Sequence, residues 1–294
     1  MVLEQRHVTF YARSSGIPEN RAERDIVLTY VLRIMSKTML SRLAFKGGTS
    51  LKKIYFGKTG RFSMDLDFTS IDISPKEFRE EIKGLLNKKS WYGIDFTVVE
   101  ENQTSESYLA VVRYTHEWNP GTLFELQVSY REEPIFPPVE LLLQSEIYFK
   151  YCEFQRFPVQ CMQRDEVLSE KIRAAFQRAN SRDLYDLYLF SELPHNRETI
   201  KALVAVKCWN VRDPFDSKLF FEKVEKGDYD WEDLRNLVRK ERLPLEEEVI
   251  TKVLDGYEYL GDMDKDLSKI IRDSKAHKEK NLVAKILAHL RDKC

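Results

Sequence analysis

Several features are missing from this sequence, and each absence argues against a class of protein. No apolar run approaches the roughly 20 residues that a membrane span needs. The N-terminus lacks a charged start followed by an apolar stretch, so we expect no signal peptide. The four cysteines form no Cys-x-x-Cys pair and the five histidines lack metal-ligand spacing, which argues against a zinc site. These absences predict a cytoplasmic protein whose cysteines are free thiols.

The chain also lacks an excess of charge of either sign. Lys and Arg number 47 against 48 Asp and Glu, so no global field attracts nucleic acid. Any binding of nucleic acid would therefore require a local basic patch. One candidate is the tail from Lys265 to Cys294, where nine Lys and Arg stand against four Asp and Glu. A second candidate is a group of arginines further upstream: Arg173, Arg178, Arg182 and Arg197.

Hydrophobic periodicity divides the chain into three regions. The first forty residues repeat near 3.6 and predict helices. Residues 41–140 contain alternating, strand-like segments around a helix that begins at Pro75, and the rest of the chain is mostly helical. We predict an α+β protein with a helical segment at residues 1–40, a core with a small mixed sheet of four or five strands at 41–140, and a helical C-terminal domain at 141–294.

An acidic pair carries the clearest chemical signal. On a strand over residues 63–69, alternation places Ser63, Asp65 and Asp67 on one face and Met64 and its apolar neighbours on the other. Two carboxylates on one side repel each other unless a cation lies between them. Mg²⁺ prefers such oxygen ligands and commonly shares them with phosphates. The pair therefore predicts a magnesium and phosphate site.

A glycine turn precedes the acidic pair in the order Lys46-Gly47-Gly48-Thr49-Ser50. Without a β-carbon, Gly47 and Gly48 allow the backbone to approach a ligand closely. The start of the following helix then offers N–H groups to an anion, which makes the turn a candidate triphosphate cradle. The alternative is an ordinary turn next to a solvated strand face, with Arg61 as salt-bridge partner of the aspartates.

These segments together resemble the AbiEii/AbiGii toxin family, which includes the MenT toxins and belongs to the polymerase-β-like nucleotidyltransferases. A second block supports the resemblance: Leu168-x-x-Lys171-x-x-Ala174, then Arg182-Asp183-x-Tyr185-Asp186. The resemblance implies a polymerase-β-like core and a toxin of a type IV-like toxin–antitoxin system with a cognate antitoxin. It further implies Mg²⁺- or Mn²⁺-dependent transfer of a nucleotide from an NTP to RNA, with the 3′ end of tRNA as the expected acceptor, which blocks translation.

The resemblance also assigns roles to individual residues. The residues expected to bind the nucleotide are Lys46, Gly47, Gly48, Thr49, Ser63 and Lys171. The residues expected to be catalytic are Ser63, Asp65, Asp67, Lys171 and Asp186. The expected metal ligands are Asp65 and Asp67, with Glu125 as a third candidate.

One departure from the family pattern bears on the chemistry. Gln127 stands where a third carboxylate is expected, and a glutamine cannot act as a base at neutral pH. Glu125 on the same strand face, Asp186, or solvent and metal would then take that role. Two other functions stay open: transfer to a protein hydroxyl, and a nucleotide- or partner-binding module that has lost catalysis.

The helical block has alternative interpretations of its own. Lys171 lies beside the apolar stripe of its helix, where a lysine can simply extend to solvent, and Asp183 and Asp186 can pair with Lys171 or Arg182. Ser181 is the expected N-cap of the second helix. The aromatic residues Tyr185, Tyr188 and Trp209 would stack on RNA bases or pack in the core.

Overall fold

The computed structural model describes residues 2–152 and 154–292, and these residues fall into two units. The first unit comprises the residues up to Pro134 together with Pro138–Met162 and Asn236–Arg242. The second comprises Ile135–Pro137, Gln163–Arg235 and the residues from Leu243 onward. The boundaries differ from those we predicted, because the N-terminal helices and two strands beyond residue 138 share one hydrophobic core with the sheet.

In the described part of the chain, eight strands of the first unit form one mixed sheet. They are β1 (Leu43–Lys46), β2 (Leu66–Ser70), β3 (Lys89–Trp91), β4 (Ile94–Gln103), β5 (Ser107–His116), β6 (Asn119–Ser129), β7 (Val139–Leu142) and β8 (Pro158–Cys161). Their order is β3-β4-β5-β6-β2-β1-β8-β7. The pairs β2–β6 and β1–β8 are parallel, and the others are antiparallel.

The first unit also contains five helices in the residues that the structure describes, and several of them share the hydrophobic core with the sheet. They are α1 (Gln5–Ser15), α2 (Glu19–Met35), α3 (Gly47–Ser50), α4 (Pro75–Leu86) and α5 (Ile147–Tyr151). A π-helix at Leu51–Phe56 continues α3. Phe78 of α4 packs against Tyr108 of β5 at 5.3 Å between ring centroids, and α2 is buried along most of its length. The residues of β5 and β6 that alternate with the core residues are half-buried or exposed, and we call the face that they form the open face of the sheet.

The second unit is helical in the residues that the structure describes. Its helices are α6 (Arg164–Gln177), α7 (Ser181–Ser191), α8 (Arg197–Asn210), α9 (Ser217–Lys226), α10 (Trp231–Arg235), α11 (Glu246–Tyr257), α12 (Lys265–Asp273) and α13 (Lys280–Arg291). The side chains of Glu166 and Lys207 form a fully buried ion pair at 2.9 Å. Glu166 also accepts the backbone N–H groups of Ile135 and Phe136, which ties that short segment to α6.

Three local predictions need correction. The sheet of the described residues has eight strands where four or five were expected, and β8 and the second half of β7 lie within residues 141–294, which we predicted to be a helical domain. β2 begins at Leu66 and not at Ser63, since β1 ends at Lys46 and leaves residues 63–65 without a strand to pair with on that side. The N-cap of α7 is Asn180, whose side chain accepts the N–H of Arg182; Ser181 is already in the helix.

Candidate active site

The acidic segment before and within β2 alternates between the core and the open side of the sheet. Met64, Leu66 and Phe68 are buried, whereas Ser63, Asp65 and Asp67 are half-buried. This is the alternation expected from the sequence, although only Asp67 lies within the strand. Both aspartates therefore turn away from the hydrophobic core.

Gly47 brings the turn into direct contact with Asp67. Its φ of +73° is a left-handed conformation that L side chains rarely adopt. A β-carbon on Gly47 would lie 2.8 Å from Cβ and 2.9 Å from Cγ of Asp67. Lys46, the preceding residue, pairs in register with Asp67 across β1 and β2. The missing side chain of Gly47 thus makes room for the Asp67 carboxylate.

The next two residues of the turn contact the segment that leads into β2. A β-carbon on Gly48 would lie 2.6 Å from Nη2 of Arg61 and 2.9 Å from Oγ of Ser63. The hydroxyl of Thr49 donates to the backbone carbonyl of Asp65. The sequence-predicted residues of the first unit, from Lys46 to Asp67, are therefore in mutual contact. Arg61, which was not among the predicted site residues, is buried at their centre.

Strand β6 completes the surroundings of the aspartates. Its parallel register places Gln127 beside Asp67. The backbone N–H of Glu125 donates to Oδ1 of Asp65 at 3.1 Å. Glu125 and Gln127 are exposed, and they alternate with the buried Leu126. Both residues consequently lie on the open face of the sheet, next to the acidic pair.

The donor set fits a hard divalent cation, but only with the two aspartates. Carboxylate oxygens on a solvent-accessible face are the ligands that such a cation takes, with water and phosphate oxygens filling the other positions. Within residues 2–152 and 154–292, no group of three or more His, Cys, Asp or Glu side chains is placed to hold a metal. Glu125 therefore does not complete a three-carboxylate set with Asp65 and Asp67.

Lys171 lies in the second unit and forms a buried ionic cluster with α7. Its ammonium is 3.1 Å from Oδ1 of Asp183 and 2.9 Å from Oδ2 of Asp186. Asp183 also accepts from Nε of Arg178 at 2.8 Å, whereas Arg182 pairs with Asp233. The residues of the second sequence block are thus brought together, and Lys171 forms ion pairs with both Asp183 and Asp186.

The four upstream arginines considered for RNA binding have partners within the structure. The guanidinium of Arg173 donates to the carbonyl of Lys207, and that of Arg197 lies over the ring of Tyr259. Tyr185 and Trp209 are buried, which favours the core interpretation for both.

Comparison with known proteins decides the family. The sequence profile described as "Nucleotidyl transferase AbiEii toxin, Type IV TA system" matches residues 33–272. This range contains both sequence blocks. The chain belongs to the AbiEii nucleotidyltransferase toxin family. A search of curated proteins finds no match.

A solved structure agrees with the fold along nearly the whole chain. MenT4, the nucleotidyltransferase toxin Rv2826c from Mycobacterium tuberculosis H37Rv, superposes with a TM-score of 0.84 at 25% sequence identity. The match covers 98% of this chain and 99% of that one. The predicted resemblance and the α+β fold class are thereby confirmed, and the chain is a nucleotidyltransferase toxin of a type IV toxin–antitoxin system.

The sequence did not predict a buried ionic network in the π-helix that follows the glycine turn. The π-helix carries two adjacent buried lysines: Lys53 bonds Oδ1 of Asp25 at 2.8 Å and Thr29 at 2.7 Å, and Lys52 bonds Glu146 and the carbonyl of Gly57. Glu146 also accepts from Arg239 at 2.9 Å. The only signal in the sequence was a lysine pair inside an otherwise apolar stretch, Leu51 to Phe56.

The remaining sequence predictions concern cysteines and membranes. Cys152, Cys161 and Cys208 are buried and form no disulfide among the described residues, and burial raises the pKa of Cys161 to about 12. Cys294 lies outside the described residues. None of the described helices combines the length and apolar character required to cross a bilayer.

Proposed function

We propose that this AbiEii protein transfers a nucleotide from an NTP to RNA, with the 3′ acceptor end of tRNA as the substrate, and that this modification blocks translation. The observation that carries the proposal is the contact between the Gly47 backbone and the Asp67 carboxylate. It joins the two sequence elements from which a nucleotidyltransferase site is built. The relative MenT4 is itself described as a nucleotidyltransferase toxin. We also propose that the protein acts in the cytoplasm and has a cognate antitoxin.

Asp65 and Asp67 would hold a divalent cation, Mg²⁺ or Mn²⁺, together with the triphosphate of the NTP. When bound, such a cation would neutralise phosphate charge and so favour transfer of the nucleotide, in which the acceptor hydroxyl forms a bond to the α-phosphorus and pyrophosphate leaves as the α–β P–O bond breaks. Asp65 is oriented by the Glu125 N–H, and Thr49 fixes its backbone. Because Gly47 has no side chain, the Asp67 carboxylate can occupy the space beside the turn. These contacts set the direction of both carboxylates before any ligand binds.

Lys46, Ser63 and Lys171 are proposed to contact the nucleotide. Lys46 precedes the turn and is in register with Asp67 on the neighbouring strand, which supports a position of its side chain on the same face of the sheet as Asp67. The Ser63 hydroxyl lies against Gly48 and can donate to a phosphate oxygen. For Lys171 and Asp186 the support is the family pattern. Their ion pair gives Asp186 a positioning role toward the lysine.

Incubation of the purified protein with total RNA, Mg²⁺ and each α-labelled NTP in turn tests the proposal. We expect label on RNA, with tRNA as the main band. Asp65→Ala should lower the rate at least about a hundredfold, because a metal ligand is lost. Asp95→Ala is the matched control, since Asp95 is an exposed strand aspartate on β4 outside the acidic pair.

The label identifies the acceptor. Label on a protein band in place of RNA would move the acceptor to a protein hydroxyl. Tight NTP binding with no label on either macromolecule would instead indicate a binding module without catalysis. Loss of transfer in both Asp65→Ala and Asp95→Ala would contradict the assignment of the acidic pair.

A further inference from the structure

Gln127, the residue beside Asp67 on the neighbouring strand, has an amide side chain at a position where a site for two cations would have a carboxylate. β6 is parallel to β2, and the register pairs Asp67 with Gln127. Leu126 and Val128, on either side of Gln127, are fully buried. Gln127 therefore emerges on the open face together with Asp67, and its side chain is exposed.

The number of carboxylates limits the number of divalent cations that a site can hold. Two ions about 3.5–4 Å apart repel each other strongly, and two-metal sites offset this repulsion with carboxylates shared between the ions. Asp65 and Asp67 carry two negative charges, which matches one divalent cation. A glutamine carbonyl can ligate a cation but adds no charge.

Glu125 is the other acidic residue on this face, but it does not replace the missing carboxylate. Its contact with Asp65 runs through its backbone N–H, at 3.1 Å from Oδ1. In the described residues Glu125, Asp65 and Asp67 do not form a three-membered set of metal ligands. The position beside Asp67 is thus the one that would determine whether a second ion binds.

We infer that Gln127 restricts this site to a single divalent cation per bound nucleotide, and that a carboxylate at position 127 would create a second cation site. The inference rests on the proposed function, because it takes Asp65 and Asp67 as the ligands of the first ion. It predicts that the metal content of the protein is set by residue 127 on β6, independently of turnover.

The test counts Mn²⁺ ions per bound nucleotide in the full-length protein. Equilibrium dialysis with a non-hydrolysable α,β-methylene NTP gives the ratio of bound Mn²⁺ to bound nucleotide, and electron paramagnetic resonance detects spin coupling between neighbouring ions. We expect a ratio of one and no coupling in the wild type. Gln127→Glu and Gln127→Asp should bind two coupled ions. The second ion should bind at least about tenfold more tightly than any second ion in the wild type.

Matched variants separate charge from position. Gln103→Glu adds the same charge at an exposed residue of β4 and should keep the ratio at one. Glu125→Gln should also keep it at one, and a lower ratio would overturn the inference. Melting temperatures of all variants exclude misfolding, which is not expected at exposed strand positions.

The two hypotheses fail in different ways. Two ions in the wild type, or one ion in both carboxylate variants, would overturn the role of Gln127 and leave the proposed function standing. The absence of any nucleotide-dependent Mn²⁺ binding in the wild type, or an unchanged ratio in Asp65→Ala, would instead contradict the proposed function.

Discussion

At the scale of single residues, Gly47 is a position where the candidate active site leaves no room for a side chain. Gly47→Ala would place a β-carbon 2.8 Å from Asp67 Cβ and would force an L residue into a φ of +73°. We expect the Asp67 carboxylate to move and nucleotide transfer to fall at least about a hundredfold, because ångström-scale displacement of a catalytic group has that effect. The free energy of unfolding should fall by about 1–3 kcal/mol. Transfer assays and urea unfolding measure the two effects.

Gly84 provides the control for this substitution. It lies inside α4, and a β-carbon there would meet no atom within 4 Å. Gly84→Ala should raise the free energy of unfolding by about 0.5–1 kcal/mol and leave transfer unchanged. Equal activity losses in the two variants would mean that the contact of Gly47 with Asp67 is not needed for catalysis.

At the scale of secondary-structure elements, a buried ion pair connects the π-helix to α2. Lys53 bonds Asp25 and Thr29 of α2, and both Lys53 and Asp25 are buried. Lys53→Met should lower the free energy of unfolding by about 3–5 kcal/mol, because it removes the ammonium that pairs with the buried Asp25 carboxylate and leaves that charge uncompensated. Lys58→Met, at an exposed residue of the following turn, should change it by less than about 0.5 kcal/mol.

The same pair predicts how stability depends on pH. Burial acts to raise the pKa of Asp25, but Lys53 and Lys52 outweigh burial and hold the pKa below its usual value. The ionised carboxylate therefore contributes stability above about pH 4, and this contribution is lost as the pH falls through the lower pKa of the folded state. Urea midpoints between about pH 3 and pH 6 should fall less in the double variant Asp25→Leu/Lys53→Met than in the wild type. An identical acid profile would contradict this role of Asp25.

Elements with a strong local signal could be predicted, and those that depend on distant partners could not. Pro75 and the periodic residues behind it defined α4, and the alternating segments defined β4 to β6. The strands β7 and β8 are four residues each and find their partners only through the parallel contact of β8 with β1. The ionic network around Lys53 was hidden for the same reason, since Asp25 lies 28 positions away in the sequence. In contrast, the glycine turn and the acidic pair could be singled out from the sequence, because their chemistry limits which residues they contain, and the structure brings the two segments into contact.

At the scale of the whole molecule, the two units each carry one of the two sequence blocks of the family. The glycine turn and the acidic pair belong to the first unit, and Lys171 with Asp183 and Asp186 belongs to the second. The sequence profile of the AbiEii family spans both. Amide hydrogen exchange can show which of the two units contacts the nucleotide. Exchange slows wherever a bound ligand stabilises the backbone against opening.

We expect NTP and Mg²⁺ to slow amide exchange in β1, α3, β2 and β6, since these elements carry Lys46, Asp67 and Gln127. α4 is the internal control: it packs on the other face of the sheet through Phe78 and Tyr108 and should exchange at the same rate with and without ligand. Asp65→Ala should abolish the protection. Slower exchange in α6 and α7 as well would support contact of Lys171 with the nucleotide. Unchanged exchange there would leave Lys171 as an ion-pair partner of Asp183 and Asp186 and would contradict its proposed role at the triphosphate.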